Sequence, residues 1–253
     1  MNLVSSTPFP KVCVYVITTK LNHDRIESIN DQAQKFGFKP RFLLGFDADQ
    51  LKSEDMAMFG TEFKPATASC VLKHLEAQRC LLASNSSVAL VLEDDAILNE
   101  NFNERLHNIL SYARPLQSGW LIFLGGSDDR LNRNHVCLCP DDLIEVPIST
   151  AEAYLFDRES ATRRIHWLER NRITLPADHF LRFVDNACSN KQFRPVEPLC
   201  SQGSITGEFV TTIDENRKGH SVRYIAIRYR WRVLYKRWLP KIWAKITKCI
   251  AIK

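Results

Sequence analysis

Three consecutive acidic residues, Glu93, Asp94 and Asp95, are the strongest candidates for chemistry in this sequence. They follow the apolar run Ala89–Leu92, which is typical of a buried strand. Adjacent like charges repel one another, and carboxylate oxygens are ligands that hard cations such as Mg²⁺ and Mn²⁺ prefer. The pattern therefore indicates a divalent-cation site. The alternative is a solvated acidic turn that caps a helix starting near Asn101.

The segments around this trio alternate between strand and helix patterns. Strands are predicted at 12–17, 41–46, 88–92, 120–124 and 151–156, helices at 24–36, 66–83 and 158–170, and a short helix within 175–183. A loop is predicted at 128–142, and a proline-containing edge strand or extended segment at 193–199. This alternation predicts an α/β fold with a mostly parallel sheet covered on both faces. Ligands of such sheets bind beyond the carboxyl ends of the strands, where the acidic trio would lie.

A second polar pair, Asp178 and His179, follows a proline turn at Pro176. An aspartate beside a histidine can supply a general base and a metal or phosphate contact. The alternative is that Asp178 caps the following helix and His179 is simply exposed. By the same logic His74, within a predicted helix, reads as a hydrogen-bonded core histidine, whereas Gly125, directly after a strand, would let backbone approach a ligand.

Length and composition exclude several classes of protein for this chain. The 253 residues favour one large α/β domain, and no run of about 18 apolar residues indicates a membrane span. The first residues lack a secretory pattern, so the eight scattered cysteines are expected to be reduced thiols in a cytosolic protein. Neither a GxGxxG nor a Walker A sequence occurs, which disfavours a dinucleotide enzyme or a P-loop NTPase.

The C-terminal segment, residues 216–253, differs from the rest in charge. It holds twelve of the 34 Lys and Arg residues and none of the 29 Asp and Glu residues. A helix there would place Ile227, Trp231, Leu234 and Trp238 on one face. A cationic amphipathic segment with aromatic residues is typical of a peripheral anchor on anionic lipid. The alternatives are a helix packed on the domain with a solvated basic face, or a nucleic-acid contact, for which no motif is present.

Taken in order along the chain, several segments resemble glycosyltransferase family 25. This family includes bacterial lipooligosaccharide galactosyltransferases and collagen galactosyltransferase domains. The resemblance is carried by residues 14–20 with Asp24 and Arg25, and by 46–51, 69–74, 89–95, 120–125, 151–156, 176–181 and 201–209. Within 69–74, which resembles a Gly-Cys-x-x-Ser-His motif, Ser69 stands for Gly and Lys73 for Ser; within 46–51, Ala48-Asp49 replaces Asp-Gly.

The resemblance implies a single GT-A-like nucleotide-sugar-binding domain over residues 11–215, followed by the basic tail. It implies a hexosyltransferase that depends on Mn²⁺ or Mg²⁺. The donor would be UDP-galactose, and the acceptor a saccharide hydroxyl of lipooligosaccharide or lipopolysaccharide. With the tail on anionic lipid, the protein is expected on the cytoplasmic face of the inner membrane, without a nucleic-acid partner. The alternative is a catalytically silent relative that serves as a membrane- or nucleic-acid-docking module.

The resemblance also implies roles for individual residues. It predicts metal ligation by Glu93, Asp94, Asp95 and His179, donor binding by Arg25, Asp47, His74 and Gly125, and general-base catalysis by Asp178 if the reaction inverts. In an extended chain Glu93 and Asp95 project to one side and Asp94 to the other. One or two of the three are therefore expected to touch the cation directly.

Overall fold

The computed structural model describes residues 7–60, 62–125, 139, 141–147 and 150–209, together with Ile227 and Trp231. The helices are α1 (His23–Phe36), α2 (Ser53–Met56), α3 (Pro65–Leu82), α4 (Phe102–Ala113), α5 (Arg158–Leu168), α6 (Ala177–Ala187) and α7 (Gly203–Thr206). The strands are β1 (Cys13–Ile17), β2 (Pro40–Leu43), β3 (Val88–Glu93), β4 (Ala96–Leu98), β5 (Trp120–Phe123), β6 (Leu143–Glu145), β7 (Ala153–Asp157), β8 (Lys191–Pro195) and β9 (Cys200–Gln202).

A seven-stranded sheet in the order β2-β1-β3-β7-β5-β8-β6 forms the centre of the described fold. β1 is parallel to β2 and β3, and β5 is parallel to β8. β7 is antiparallel to β3 and β5, and β6 is antiparallel to β8. Five strands thus run in one direction, which confirms the predicted α/β fold with a mostly parallel sheet. The carboxyl ends of β1, β3 and β5 consequently lie at the same edge as the start of β7.

Side chains alternate along the central strands and build a core on each face of the sheet. Along β3, Leu90 and Leu92 pack with residues of α1 and α4. Ala89 and Val91 point to the opposite face and pack with residues of α3 and α5. This alternation follows from the two-residue period of a strand, and it confirms that helices cover both faces.

The two helices that flank the acidic trio begin and end where local sequence predicts. α1 ends at Phe36 and is capped by Gly37, whose φ of 75° is the left-handed conformation that glycine adopts without steric cost. α3 begins with Pro65, where a missing N–H has no intrahelical partner to lose. The predicted helices 24–36 and 66–83 are therefore confirmed to within a residue at each end.

Other elements differ from prediction. The edge position predicted for 193–199 is wrong, because β8 lies between β5 and β6. Pro195 is tolerated there since it is the last residue of β8, and the ladder with β5 ends at Phe193. β2 ends at Leu43 rather than at the predicted Phe46, which has a φ of 61°. The short elements α2, β4, β6, β9 and α7 were not predicted, because three or four residues carry too little periodicity.

Most of the predicted basic tail and most of the predicted loop at 128–142 lie outside the described residues. Ile227 and Trp231 are helical, and their side chains are 56% and 70% exposed. Among the described helices none combines the length and apolar character needed to cross a membrane. All six cysteines within the described part of the chain are free.

Candidate functional site

The acidic trio lies at the carboxyl edge of the sheet, between the ends of β1 and the start of β7. Ile17 of β1 is in register with Glu93 of β3. The Asp94 N–H donates to the Ile17 carbonyl at 3.0 Å, and the Glu93 N–H donates to the Glu152 carbonyl at 2.8 Å. Hydrogen bonds to the two neighbouring chain segments therefore fix the backbone of the trio. The trio lies at the edge of the sheet where bound molecules are found in such folds.

Burial rules out the solvated turn for this segment. Asp94 is 6% exposed and Asp95 only 3%. α4 begins at Phe102 with Asn101 at its N-cap, and Asp95 instead precedes β4. A buried carboxylate is costly unless it is paired or binds a cation, so the partners of each acid are informative.

Asp94 is completely engaged with neighbouring side chains. Its Oδ1 accepts a hydrogen bond from Arg25 Nη1 at 2.6 Å. Its Oδ2 accepts from the Thr18 hydroxyl at 2.6 Å and from Asn22 Nδ2 at 2.7 Å. Asp94 thereby ties the segment after β1 and the first turn of α1 to the end of β3. Thr18 and Asn22 are site residues that the sequence analysis missed.

Asp95 is buried but only partly satisfied. Ser204 donates hydrogen bonds to it from its side chain and its backbone. Its Oδ1 has no hydrogen-bond partner among the described residues, although it is shielded from solvent. Burial is the main cause that raises the pKa of Asp95, and the Ser204 hydrogen bonds and the charge of Arg25 oppose the rise. A buried carboxylate oxygen without a hydrogen-bond partner is a position where a bound cation would satisfy the oxygen.

Glu93 is half-buried and surrounded by other acids. Burial, and then the charges of Asp95 and Asp94, raise the pKa of Glu93 well above its ordinary value. Among the described residues neither Glu93 nor Asp95 forms an ion pair with a lysine or arginine. A divalent cation between them would supply the missing positive charge, so these two residues fit Mn²⁺ or Mg²⁺.

His74 lies beside Glu93 and is almost completely buried. Its Nε2 is 3.3 Å from Glu93 Oε1, and its Nδ1 is 2.9 Å from the Tyr154 hydroxyl. Burial lowers the pKa of His74 to about 3, against a smaller opposing effect of Asp178. The imidazole is thus neutral near neutral pH, and its contact with Glu93 is a hydrogen bond rather than an ion pair. The predicted hydrogen-bonded core position of His74 is confirmed, and the ring also lies beside the acidic trio.

Asp47 is held by a lysine that the sequence analysis noted only as a departure from the family motif. Lys73 is 2% exposed, and its Nζ lies 2.5 Å from Asp47 Oδ1. The same ammonium group donates to the Thr18 carbonyl. Lys73 therefore fixes Asp47 against the carboxyl end of β1.

Gly125 permits a close approach between two strands at the site. A Cβ at this position would lie 1.9 Å from Glu152 Oε1. Glu152 is 3% exposed, and Thr150 donates a hydrogen bond to its Oε2. Sequence reasoning missed Glu152, whose only signal is an acid directly before a buried strand.

Asp178 and His179 both lie in the first turn of α6, yet they differ in environment. Asp178 is half-buried, and its charge contributes to the raised pKa of Glu93. His179 is exposed, and its Nδ1 lies 2.9 Å from Arg182 Nη2. Pro176 occupies the N-cap, so Asp178 is not the capping residue. The structure brings Asp178 into the electrostatic field of the acidic cluster and leaves His179 at the surface.

Two comparisons with known proteins give matches in sequence. Residues 12–136 match the sequence model of glycosyltransferase family 25 (LPS biosynthesis protein). A protein named "Glycosyltransferase 25 family member" from Aedes aegypti is 26% identical over 126 residues, which cover 44% of this chain. The chain matches only 21% of the length of that relative. The family match includes α3, β3 and the acidic trio, so residues 12–136 belong to glycosyltransferase family 25.

Proposed function

We propose that this protein is a glycosyltransferase that moves a hexose from a nucleotide-sugar donor to a saccharide hydroxyl. Family membership supports the reaction class. The observation that carries the proposal is the pair of carboxylates formed by Glu93 and Asp95. Their charges lack a cationic partner among the described residues, and one buried oxygen of Asp95 has no hydrogen bond. Such a pair suits a cation that also holds a diphosphate.

Within this proposal, Glu93 and Asp95 hold Mn²⁺ or Mg²⁺, and Asp94 positions them. Both oxygens of Asp94 already bond to Thr18, Asn22 and Arg25. A bound cation would neutralise charge on the donor diphosphate and on the departing nucleotide. Asp94 keeps the end of β3 and the start of α1 in one arrangement, which is the preorganisation that a charged reaction centre needs.

Four other predicted residues take roles around this pair in the proposal. Asp47, which Lys73 fixes, is assigned to the nucleoside of the donor, and Arg25, which pairs with Asp94, to the diphosphate. Gly125 leaves backbone accessible at the end of β5. If the reaction inverts, the carboxylate of Asp178 accepts the proton of the acceptor hydroxyl as the new glycosidic bond forms and the bond to the nucleotide breaks.

UDP-galactose is the proposed donor, and lipooligosaccharide or lipopolysaccharide the proposed acceptor. The description of the matched family, LPS biosynthesis protein, supports such an acceptor. We propose that the basic segment 216–253 holds the protein on anionic lipid, where this acceptor is presented. Twelve basic and no acidic residues support this placement, as do the exposed Ile227 and Trp231 one helical turn apart. Nothing in the described residues favours a non-catalytic docking module.

The test is transfer by the purified full chain. The protein is incubated with Mn²⁺, a panel of UDP-sugars and a defined lipooligosaccharide acceptor, and the product is read by mass and linkage. Asp95→Asn and Glu93→Gln are each expected to lower the rate by about 10²–10³-fold. Exposed Glu62 offers a matched control, and Glu62→Gln should keep full activity.

Two outcomes would contradict different parts of the proposal. Transfer that persists in EDTA and in Asp95→Asn would contradict the proposed role of a divalent cation. No transfer from any UDP-sugar, together with no binding of UDP in calorimetry, would remove the transferase itself. For the tail, the full chain should sediment with phosphatidylserine-containing vesicles and not with neutral ones, and deletion of 216–253 should abolish that sedimentation.

A further inference from the structure

Three side chains of different chemistry meet beside the carboxylate pair. Cys70 Sγ, a ring nitrogen of His74 and a carboxylate oxygen of Glu93 all lie within 4.8 Å of one another. We propose that these three residues form a second metal site, for a borderline or soft divalent cation such as Zn²⁺. Its sulfur and nitrogen ligands distinguish it from the oxygen pair of Glu93 and Asp95, which suits harder cations.

The positions of these residues follow from the fold. Cys70 and His74 are four residues apart on α3, so their side chains lie on the same face of the helix. Glu93 is the last residue of β3 and projects toward that face. His74 is 1% exposed, whereas Cys70 and Glu93 are half-buried. The cluster is therefore enclosed on the helix side and reachable from the site.

The distance between His74 and Glu93 fits a tetrahedral ion. Zinc lies about 2.0–2.1 Å from imidazole nitrogen and about 2.0–2.2 Å from carboxylate oxygen, which places the two ligand atoms roughly 3.3–3.5 Å apart. His74 Nε2 and Glu93 Oε1 are 3.3 Å apart. A thiolate ligand needs roughly 3.5 Å to each of the other atoms. Since all three atoms already lie within 4.8 Å, small side-chain rotations close the site.

Tyr154 supports the required orientation of the imidazole. Its hydroxyl lies 2.9 Å from His74 Nδ1, and the two rings stack with centroids 5.7 Å apart. Metal-bound histidines almost always donate their second ring N–H to such a partner, which fixes the tautomer. With Nδ1–H directed at Tyr154, the lone pair of Nε2 faces Glu93, whose Oε1 lies 3.3 Å away. The sequence alone gave no reason to connect Tyr154 with His74.

The proposed site has three protein ligands and leaves a fourth position for water or a substrate atom. On binding, the thiol proton of Cys70 passes to solvent and the thiolate becomes the ligand. Zinc binds mixed nitrogen, oxygen and sulfur sites more tightly than Mn²⁺ does. Because Glu93 is shared, occupancy by Zn²⁺ would withdraw it from Asp95 and inhibit transfer. This consequence rests on the proposed function, whereas the binding itself does not.

Cobalt is the probe for this site. Co²⁺ is titrated without oxygen into the full chain in the absence of any nucleotide. We expect a near-ultraviolet thiolate-to-cobalt charge-transfer band that an equivalent of Zn²⁺ removes. Cys70→Ser should abolish the band, and Cys139→Ser, which alters an exposed free cysteine, should keep it. Tyr154→Phe should weaken Co²⁺ binding by about 10-fold or more.

A band that persists in Cys70→Ser, or no band in the wild-type protein, would overturn the proposal. If Cys70→Ser fails to fold, X-ray absorption at the zinc edge of the wild-type complex decides. One sulfur and one imidazole in the ligand shell support the site, and a shell of oxygens alone overturns it. Asp95→Asn separates the two proposals, because it should lower the rate of Mn²⁺-dependent transfer by about 10²–10³-fold and leave the cobalt band intact.

Discussion

Two buried polar regions of this protein differ in how their charges are balanced. The first lies between α3, α5 and α6, where Arg164 Nε and Nη2 bond to Asp185 at 2.6 and 3.0 Å. Gln78 accepts from Arg164, and Asn190 donates to Asp185. Both charged groups of this Arg164 network are fully buried. Every charge there meets an opposite one, which is what a buried ion pair requires.

The second region, the acidic cluster of Glu93, Asp94 and Asp95, is balanced only in part. Asp94 pairs with Arg25 at 2.6 Å and resembles the Arg164 network in this respect. Glu93 and Asp95 have raised pKa values, chiefly because they are buried. This fold therefore pairs its structural charges internally and leaves uncompensated charge where a ligand is expected to bind.

Breaking the Arg164 network should have the largest effect on stability. Arg164→Met leaves the Asp185 carboxylate buried without its partner and should lower the free energy of unfolding by about 3–5 kcal/mol. Denaturant unfolding measures the loss. Arg163 is the matched control, because it pairs with Glu159 on the half-exposed surface of the same helix. Arg163→Met should cost at most about 1 kcal/mol, and equal losses for the two variants would contradict the contrast.

Asp94→Asn tests whether the charge of Asp94 is compensated by its neighbours, as the charges of the Arg164 network are. The substitution removes the charged acceptor for Arg25, Thr18 and Asn22, so it should lower the free energy of unfolding by about 1.5–3 kcal/mol. The same denaturation experiment measures it. A variant as stable as the wild type would place Asp94 with the uncompensated acids instead.

Gly125→Ala tests how closely the edge of the acidic cluster is packed. The new Cβ would meet Glu152 Oε1 at 1.9 Å, and the displacement should cost about 1–3 kcal/mol of unfolding free energy. Gly45 is the control, since a Cβ there has nothing within 4 Å. Gly45→Ala should change stability by less than about 0.5 kcal/mol. Thermal melts of both proteins decide.

Asp95→Asn should have the smallest effect and the opposite sign. Burial raises the pKa of Asp95 in the folded protein, so the charged carboxylate reduces stability once the pH exceeds its ordinary value of 3.8. Removing this charge should raise the unfolding free energy of the metal-free protein by about 0.5–1 kcal/mol at mildly alkaline pH. Destabilisation by the same amount would mean that the folded protein compensates the negative charge of Asp95.

The sequence predicts the core of this fold better than its short elements. The period of apolar residues is strong in α1, α3, β1 and β3, and all of them form as predicted. The position of β8 could not be predicted, because Pro195 reads as an edge residue until the register shows that it ends the strand. Which strand lies beside β8 depends on contacts far apart in sequence, and local pattern carries no such information.

The acidic trio illustrates the same limit within the site. The sequence shows three carboxylates after a strand and predicts that Asp94 projects away from its neighbours. It does not reveal that Thr18 and Asn22 donate hydrogen bonds to Asp94, since these contacts follow from the register of β1 with β3. Lys73 reads as a substitution in a motif, and its ion pair with Asp47 emerges only from the packing of α3.

The central claim is that Glu93 and Asp95, rather than Asp94, hold a divalent cation. Its most direct test is calorimetric titration of Mn²⁺, in the presence of UDP, into the wild-type protein and into Asp95→Asn and Glu62→Gln. The account predicts that Asp95→Asn weakens Mn²⁺ binding by about 10-fold or more, equivalent to about 1.4 kcal/mol, while Glu62→Gln binds as the wild type does. An unchanged Mn²⁺ affinity in Asp95→Asn would contradict it.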